Sequence, residues 1–592
     1  MNGKLPAPQI TVLDTGGQYC HLIARRIREL GVHAEVRRSA APARELAGRK
    51  GIVISGGPAS VYDAGSPQID PGILELGVPV LGICYGLHLM AHHLGGEVRK
   101  AGVGEFGLAW IEILEPAGLF AGLDAREQVW MSHRDAVQKL PAGFRVLART
   151  PECPVAAMGD PARGFYGVQF HPEVVHTVHG RQVLANFVFE VCRCRKDWDP
   201  SHQIPALLEQ IRRVVGGRNV LFFLSGGVDS TVAYTLCIRA LGPERVHGTY
   251  VDTGLMREGE TEFVSRIFES LAASSFEVVD AAGEFLGRLK GVTDPEEKRR
   301  IIGEEFVEVQ ERILEQGHYL DGQWILGQGT IYPDTIESGG TQHADVIKTH
   351  HNRVPGIQLL IEQNRLVEPL ASFYKDEVRE IGRALGLPEE LLERHPFPGP
   401  GLAIRCLCAE RDAPVERAGE GWILPVKSVG VQGDSRSYRP VLALDRSPDG
   451  DGDLLDLATG LINRIPNINR VIARVASHSP IEAMRVRPSE LSPDRLARLR
   501  RADAIVRRRT HESGFDRRVW QFPVVLIPVG SAERPDSIVL RPIHSVDGMT
   551  AQAVLMDGDL LNRIAGEILG VEGIDAVFYD LTHKPPATIE WE

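Results

Sequence analysis

Short apolar runs, each stopped by glycine or a polar turn and followed by a stretch of helical spacing, recur through residues 8–403. Residues 9–13, 51–54, 78–83, 220–224, 245–251 and 324–326 read as buried parallel strands. Residues 19–30, closed by Gly31, and residues 87–94 and 231–241 read as helices. This alternation predicts an α/β protein with two doubly wound parallel-sheet domains, 8–195 and 202–403. Residues 195–201 are polar and contain Pro200, which predicts a linker between them. From 404 the rhythm changes. Residues 454–475 align without gaps to 560–581, with identities at Leu454/Leu560, Leu455/Leu561, Gly460/Gly566, Ile462/Ile568, Ile468/Ile574 and Val471/Val577. Leu424-Pro425-Val426 precedes one copy and Ile527-Pro528-Val529 the other. Identical apolar positions at helix-then-strand spacing predict a duplicated α+β unit within 404–592.

The strand at 220–224 runs into Ser225-Gly226-Gly227-Val228-Asp229-Ser230 and then a helix. A glycine pair there lets the backbone approach an anion, and the two serine hydroxyls and the helix-start N–H groups point at it. The spaced glycines and Gly-Lys-Ser/Thr ending of the common phosphate loop are absent. Upstream, Gly82-Ile83-Cys84-Tyr85-Gly86 has the form of a nucleophile elbow with cysteine in place of serine. A thiol at a helix N-terminus favours thiolate. Gly167-Val168-Gln169-Phe170-His171-Pro172-Glu173 supplies a base, His171, and a carboxylate, Glu173, to orient it. Ser55-Gly56-Gly57-Pro58 closes another strand and can offer the Gly57 N–H to an oxyanion beside that of Tyr85.

The first 195 residues resemble class I glutamine amidotransferases: SGGP, GICYG and FHPE occur in that order, with Asp14-Thr15-Gly16-Gly17-Gln18-Tyr19 before and Met131-Ser132-His133-Arg134-Asp135 between. SGGVDS resembles the pyrophosphate loop of the N-type ATP pyrophosphatases. The tail from Lys584 to Glu592, with HPFPGPG at 395–401, QGTIYPD at 328–334, IKTHHN at 347–352 and SVGVQGD at 428–434, resembles the glutamine-hydrolysing GMP synthetase family in its extended, eukaryote-like form. The resemblance implies a ligase of purine biosynthesis. Its substrates would be xanthosine 5′-monophosphate (XMP), ATP with Mg2+, and glutamine. It implies ATP contacts at Ser225 to Ser230, Asp252 and Gly254, with Asp229 near the metal. A nucleotide phosphate needs cationic and N–H donors, to which Lys584, Thr588 and the Ile589 N–H are suited, while Glu590 can accept from a base or ribose group of XMP; the resemblance adds Arg436 and Gln521. One position departs from the family. Where these glutaminases carry a glutamine that contacts the substrate, this chain has His88, whose imidazole retains one hydrogen bond. Asp294 to Arg300 reads either as a lid whose cations meet phosphates or as a solvated helix start.

Composition narrows the alternatives. The 592 residues are 43% hydrophobic and 24% charged, as in globular proteins with large cores. A net charge of −12 argues against broad nucleic-acid affinity, and so against a tRNA-modifying relative. Cys192-Arg193-Cys194 and Cys406-Leu407-Cys408 lack zinc-site spacing. Neither a signal-like N-terminus nor a bilayer-length apolar run is present, so the expectation is a cytoplasmic protein with reduced thiols and no membrane partner. A non-catalytic scaffold is the remaining alternative; intact Cys84, His171, Glu173 and SGGVDS argue against it. The duplicated unit favours a monomer, with a homodimer as the alternative.

Overall fold

The structure is a computed structural model and describes residues 5–272, 275–337, 354–432, 435–448, 453–465, 467–545 and 550–592. The motif at 347–352 and Gly433 and Asp434 lie outside the described residues, as does the side chain of Arg436. The chain forms two compact units. One comprises Met1–Gln210, Ile331–Ala344 and Ala371–Ile381; the other comprises Ile211–Thr330, Asp345–Leu370 and Gly382–Glu592.

The first unit is built on a nine-stranded sheet of β1 (Ile10–Asp14), β2 (Ala34–Arg38), β3 (Gly51–Ile54), β4 (Val80–Ile83), β5 (Glu97–Ile113), β6 (Arg126–Lys139), β7 (Arg145–Arg149), β8 (Ala157–Asp160) and β9 (Phe165–Val168). The order is β2-β1-β3-β4-β9-β8-β7-β5-β6. The first five strands in that order are mutually parallel, and the rest run antiparallel. Period-two alternation decides which helix each strand residue meets. Ile52 and Ile54 pack with Leu87 and Met90 of α2 (Tyr85–His93), whereas Val53 packs with Ile23 and Ile27 of α1 (Cys20–Glu29). Cys20, Ile23, Ala24 and Ile27 are all buried, the stripe expected of a helix laid on a sheet.

Residues 195–201 are irregular, but they are not a solvated tether. Trp198 is buried, stacks on His33 with ring centroids 4.0 Å apart, and donates its indole N–H to Glu377. Arg28 lies over the Trp198, Tyr332 and Tyr374 rings at 4.8–5.0 Å and ion-pairs with Glu377 at 3.0 Å. Residues late in sequence therefore complete the first unit.

The second unit contains a wholly parallel sheet of β10 (Asn219–Leu224), β11 (Val246–Asp252), β12 (Phe276–Asp280), β13 (Trp324–Gly327) and β14 (Leu366–Val367), in the order β12-β11-β10-β13-β14. The chain leaves β10 toward β11 on one side and later returns to place β13 on the other. That reversal is the switch point where open α/β sheets bind ligands.

Its other large sheet has seven strands: Glu416–Ala418, Gly421–Gln432, Ser435–Leu444, Arg470–Ser477, Ile574–Asp580, Asp536–Leu540 and Val524–Ile527 in spatial order. Read outward from its centre, the two sides match. Arg470–Ser477 and Ile574–Asp580 pair antiparallel; each has a parallel outer neighbour, and beyond that an antiparallel one. The helices Asp453–Arg464 and Gly558–Leu569 lie in corresponding positions of the two repeats. The register of the repeat in sequence is thus the register of a local two-fold axis.

Buried charge closes this sheet onto the chain's last residues. Asp580 is fully buried and accepts from Arg470 at 2.9 Å, Arg541 at 2.8 Å and the Trp591 indole at 2.9 Å. Burial opposes its ionisation, but Arg541 and Arg470 outweigh that and hold the carboxyl below its ordinary value. The same guanidiniums donate to the carbonyls of Thr588, Ile589 and Glu590. Removing one member of such a cluster leaves a buried charge uncompensated, which costs about 3–5 kcal/mol. Asp580→Asn is expected to lower the denaturant midpoint accordingly. Hydrogen exchange should locate the loosening in the strands Arg470–Ser477 and Ile574–Asp580 and in the tail. Unchanged protection there would show that the carboxylate does not hold the tail.

Candidate active sites

Three neighbouring parallel strands, β3, β4 and β9, end at one edge of the first sheet and deliver the cysteine site. Cys84 follows β4 and caps α2 with φ 50° and ψ −104°, a backbone conformation that side chains with a Cβ rarely adopt. The turn closes only because its flanks lack side chains. A Cβ on Gly82 would lie 2.5 Å from the Gly86 carbonyl oxygen, and one on Gly86 would lie 2.2 Å from that of Ile54. Thr15 pins the SGG turn after β3, donating to the Gly56 carbonyl at 2.8 Å while its N–H reaches the Ser55 hydroxyl at 3.1 Å. Tyr85 opens α2, so its N–H has no partner within that helix.

His171 is 5% exposed, and its Nδ1 lies 2.7 Å from Glu173 Oε1. Burial works against charge on the ring, but Glu173 and the Cys84 side chain outweigh it and hold His171 up at about 10. The Cys84 sulfur lies 3.5 Å from the Ser132 carbonyl and 3.7 Å from Gln169 Nε2. Sequence spacing marks Gln169 and Ser132 only as neighbours of His171 and His133 in their motifs; the fold brings both to the sulfur. His88 is not turned freely toward a substrate. It is 3% exposed and its Nε2 lies 2.8 Å from Gln169 Oε1.

Nearby, Glu105, His133 and Cys153 bring an oxygen, a nitrogen and a sulfur within 4.8 Å of one another. Within this group His133 and Glu105 pair with each other. His133 Nε2 is 3.1 Å from Glu105, and the Thr150 hydroxyl donates to the other Glu105 oxygen at 2.9 Å. Burial and Glu105 push the Cys153 thiol up to about 12.

In the second unit Ser225, Gly226 and Gly227 link β10 to the helix Val228–Leu241, and Val228, Asp229 and Ser230 form that helix's first turn. Gly226 has φ 71°, and the Ser225 and Ser230 hydroxyls are 3.3 Å apart. Ser225 and Gly227 are exposed, Asp229 and Ser230 half-buried, and Val228 buried. The loop after β13 presses on it: a Cβ on Gly329 would lie 2.6 Å from the Ser230 nitrogen. Arg394 forks onto Glu260 and donates to the Gly226 carbonyl at 3.4 Å, a support that sequence gave no sign of. After β11, Asp252 folds its own loop, accepting from the Gly254 N–H at 2.8 Å and the Thr261 hydroxyl at 2.7 Å.

The tail residues are internal anchors first. Both Glu590 oxygens receive the buried Arg405 fork at 2.7 and 2.9 Å, and the Thr588 hydroxyl meets Arg470 at 3.0 Å. Val429 donates to the Trp591 carbonyl, so the tail lies on the strand that carries SVGVQ. Gln521 is buried and bridges to Ile543, while Lys584 pairs with Ala551 through its backbone. Residues 294–300 form a helix start whose Asp294, Glu296, Glu297 and Arg300 are exposed, as one of the two sequence readings expects, but not all of it is solvated. Asp294 caps the long helix Pro295–Gln316, and Lys298 is fully buried, 2.7 Å from Glu592 and 3.0 Å from the Cys406 carbonyl. A cation held there cannot swing onto a phosphate.

Comparison with known proteins agrees with this division of chemistry. Residues 11–191 match the glutamine amidotransferase class-I family, 202–286 the NAD synthase family and 508–591 the GMP synthase C terminal domain. The chain is 42% identical to a probable glutamine-hydrolyzing GMP synthase of Leptospira interrogans, over 99% of each chain. It is 42% identical to the glutamine-hydrolyzing GMP synthase of Geobacillus kaustophilus and 40% identical to that of Aquifex aeolicus, each over 98% of this chain and 99% of the other. With Cys84, His171 and Glu173 gathered at the ends of parallel strands in one sheet, the SGGVDS loop on another and likeness across the whole length, this chain belongs to the family of glutamine-hydrolysing GMP synthases.

Proposed function

We propose that the chain aminates XMP to GMP, using ammonia that it releases from glutamine. The observation that carries this reading is the Cys84–His171–Glu173 constellation, joined in one polypeptide to the SGGVDS loop at a sheet switch point. Residues 8–195 would form the glutaminase, 202–403 the ATP pyrophosphatase and 404–592 the XMP-binding region.

In the glutaminase, the Cys84 sulfur attacks the side-chain amide carbon of glutamine. The oxyanion lies against the Gly57 and Tyr85 N–H groups. The proton that His171 takes from the Cys84 thiol passes to the departing nitrogen, and ammonia leaves. Water then opens the thioester to glutamate, with His171 as base and Glu173 fixing the ring. In the second centre the XMP O2 attacks the α-phosphorus of ATP and pyrophosphate leaves into the 225–230 loop. Ammonia adds at C2 and AMP departs. The donors around the loop are hard oxygens, Asp229 with the Ser225 and Ser230 hydroxyls, and they suit Mg2+. The ion, bound with ATP, would supply charge neutralisation to the phosphates. Lys584 and the Ile589 N–H are assigned to the XMP phosphate, with Arg436 and Gln521 beside them. Thr588 and Glu590 contribute chiefly by fixing the tail that presents these groups. We assign the protein to the cytoplasm; among the described residues no helix is long and apolar enough to cross a membrane.

Purified protein with Mg-ATP and glutamine is expected to form GMP only when XMP is added. ATP cleavage that responds to tRNA and not to XMP would point to the modifying-enzyme reading. Cys84→Ala should abolish glutamine-dependent GMP formation and leave formation from ammonium salts at alkaline pH largely intact, because the thiol serves only amide hydrolysis. Failure of ammonium to restore activity would contradict two separable centres.

Asp229→Ala should cut XMP-dependent pyrophosphate release by about a hundredfold with either nitrogen source, as expected when charge stabilisation at a reacting phosphate is lost. Release at the parent rate would remove Asp229 from the metal site.

Light scattering on dilute protein should give a mass near 65.0 kDa, since the two C-terminal repeats already occupy each other's pairing edges. A doubled mass that persists on dilution would mean that a further surface holds a dimer.

A further inference from the structure

His88 lies one helical turn beyond Cys84, and its N–H donates to the Cys84 carbonyl at 3.2 Å. This places the ring on the same face of α2 as the nucleophile. Gln169 is the first residue past β9, the parallel neighbour of β4, and it is fully buried. The three side chains form a row. His88 Nε2 is 2.8 Å from Gln169 Oε1, and Gln169 Nε2 is 3.7 Å from the Cys84 sulfur. A primary amide presents a donor at one end and an acceptor at the other, so fixing one end fixes what the other offers. With the ring proton on Nε2, the Gln169 oxygen is held toward His88 and its NH2 toward the sulfur.

We propose that His88 is a positioning residue for the glutaminase: it acts through Gln169, whose amide N–H it aims at the Cys84 sulfur, and it does not itself bind glutamine. The inference rests on Cys84 being the nucleophile. A thiolate gains from a donated hydrogen bond, and hydrogen bonds to charged acceptors are the stronger kind. An amide free to turn would present its oxygen to the sulfur half the time, with the opposite effect. Burial pushes His88 down to about 4, so the ring is neutral at working pH and carries one N–H for the two acceptors it faces, Gln169 Oε1 and the Asp135 backbone carbonyl; the relay requires that proton on Nε2. The titratable groups facing it are His133 and Asp135, and those around the sulfur are His171 and Cys153.

The test compares His88→Ala, Gln169→Leu, the double variant and His88→Gln. Glutaminase kcat and KM are measured alongside the pH profile of Cys84 alkylation by iodoacetamide, followed on the Cys84 peptide. His88→Ala and Gln169→Leu should each lower kcat about tenfold. Both should move the alkylation midpoint to higher pH. The double variant should be no worse than Gln169→Leu, because both changes remove the same bond. His88→Gln, which retains an N–H donor, should stay within a few-fold of the parent. Thermal unfolding followed by circular dichroism reports folding, and His88→Gln carries the test if the alanine variant is unstable: a large loss of kcat in a folded His88→Gln protein would count against the relay. A raised KM with unchanged kcat and alkylation, or additive effects in the double variant, would overturn the proposal and return His88 to direct contact with glutamine. If Cys84→Ala retained glutaminase activity, the nucleophile assignment itself would fall, which is a different result.

Discussion

Backbone-to-backbone approach at the ends of parallel strands is the constraint on which both candidate centres depend. At Gly86 and Gly329 the facing atom belongs to the main chain of a neighbouring element, the end of β3 in one case and the first turn of the helix Val228–Leu241 in the other, 2.2 and 2.6 Å from where a Cβ would sit. Main chain cannot step aside as a side chain can, so these positions admit hydrogen only. The gain is short reach. With no side-chain layer between them, the turns after β3, β4 and β9 bring Gly56, Cys84 and His171 together; a Cβ on Gly56 would be 2.9 Å from the His171 ring and 3.6 Å from the Cys84 Cβ. The positive φ of Cys84 sits within the same closure, between the tight approaches at Gly82 and Gly86.

Much of this was legible in the chain because glycine and apolar runs speak through local physics. The strand at 51–54 has the bounds expected of it, and the helix after SGGVDS begins at Val228, a few residues before its apolar periodicity becomes visible. The repeat was legible as well, because identical helix and strand positions fix identical packing. Groups whose meaning depends on distant partners were not. Trp198 reads as part of a polar connector until His33 and Glu377 are seen around it. Lys298 reads as a surface cation until Glu592 is found beside it. His88 looks like a replacement for a substrate contact, and only the fold reveals Gln169 next to it. Sequence spacing encodes which residues share an element; it does not encode which residues face each other across elements nearly three hundred positions apart.

The first unit shows a related economy. Arg28, in a helix whose opposite stripe supports the sheet, reaches Tyr332, Tyr374 and Glu377, all far along the chain. Arg26 on the same helix donates to the Glu173 carbonyl at 3.1 Å. One helix thus supports the residue that orients His171 and receives segments that follow β13 and β14. Two long-range connections on one rigid element make the position of that element matter to both.

The two-fold arrangement of the C-terminal sheet has an evolutionary consequence. When two separate copies of a subunit meet across an axis, every substitution appears on both sides at once, and any feature useful on one side must be tolerable on the other. Fusion of the copies lifts that restriction. Here the first repeat supplies a long strand ending near Gln432, and the second supplies the tail whose Ala587 and Trp591 pair with Gly430 and Val429 of that strand. The shared scaffold preserves the symmetry while the loops at its edge have diverged from each other, so that each half can become a specialist in a surface that identical halves could not have built.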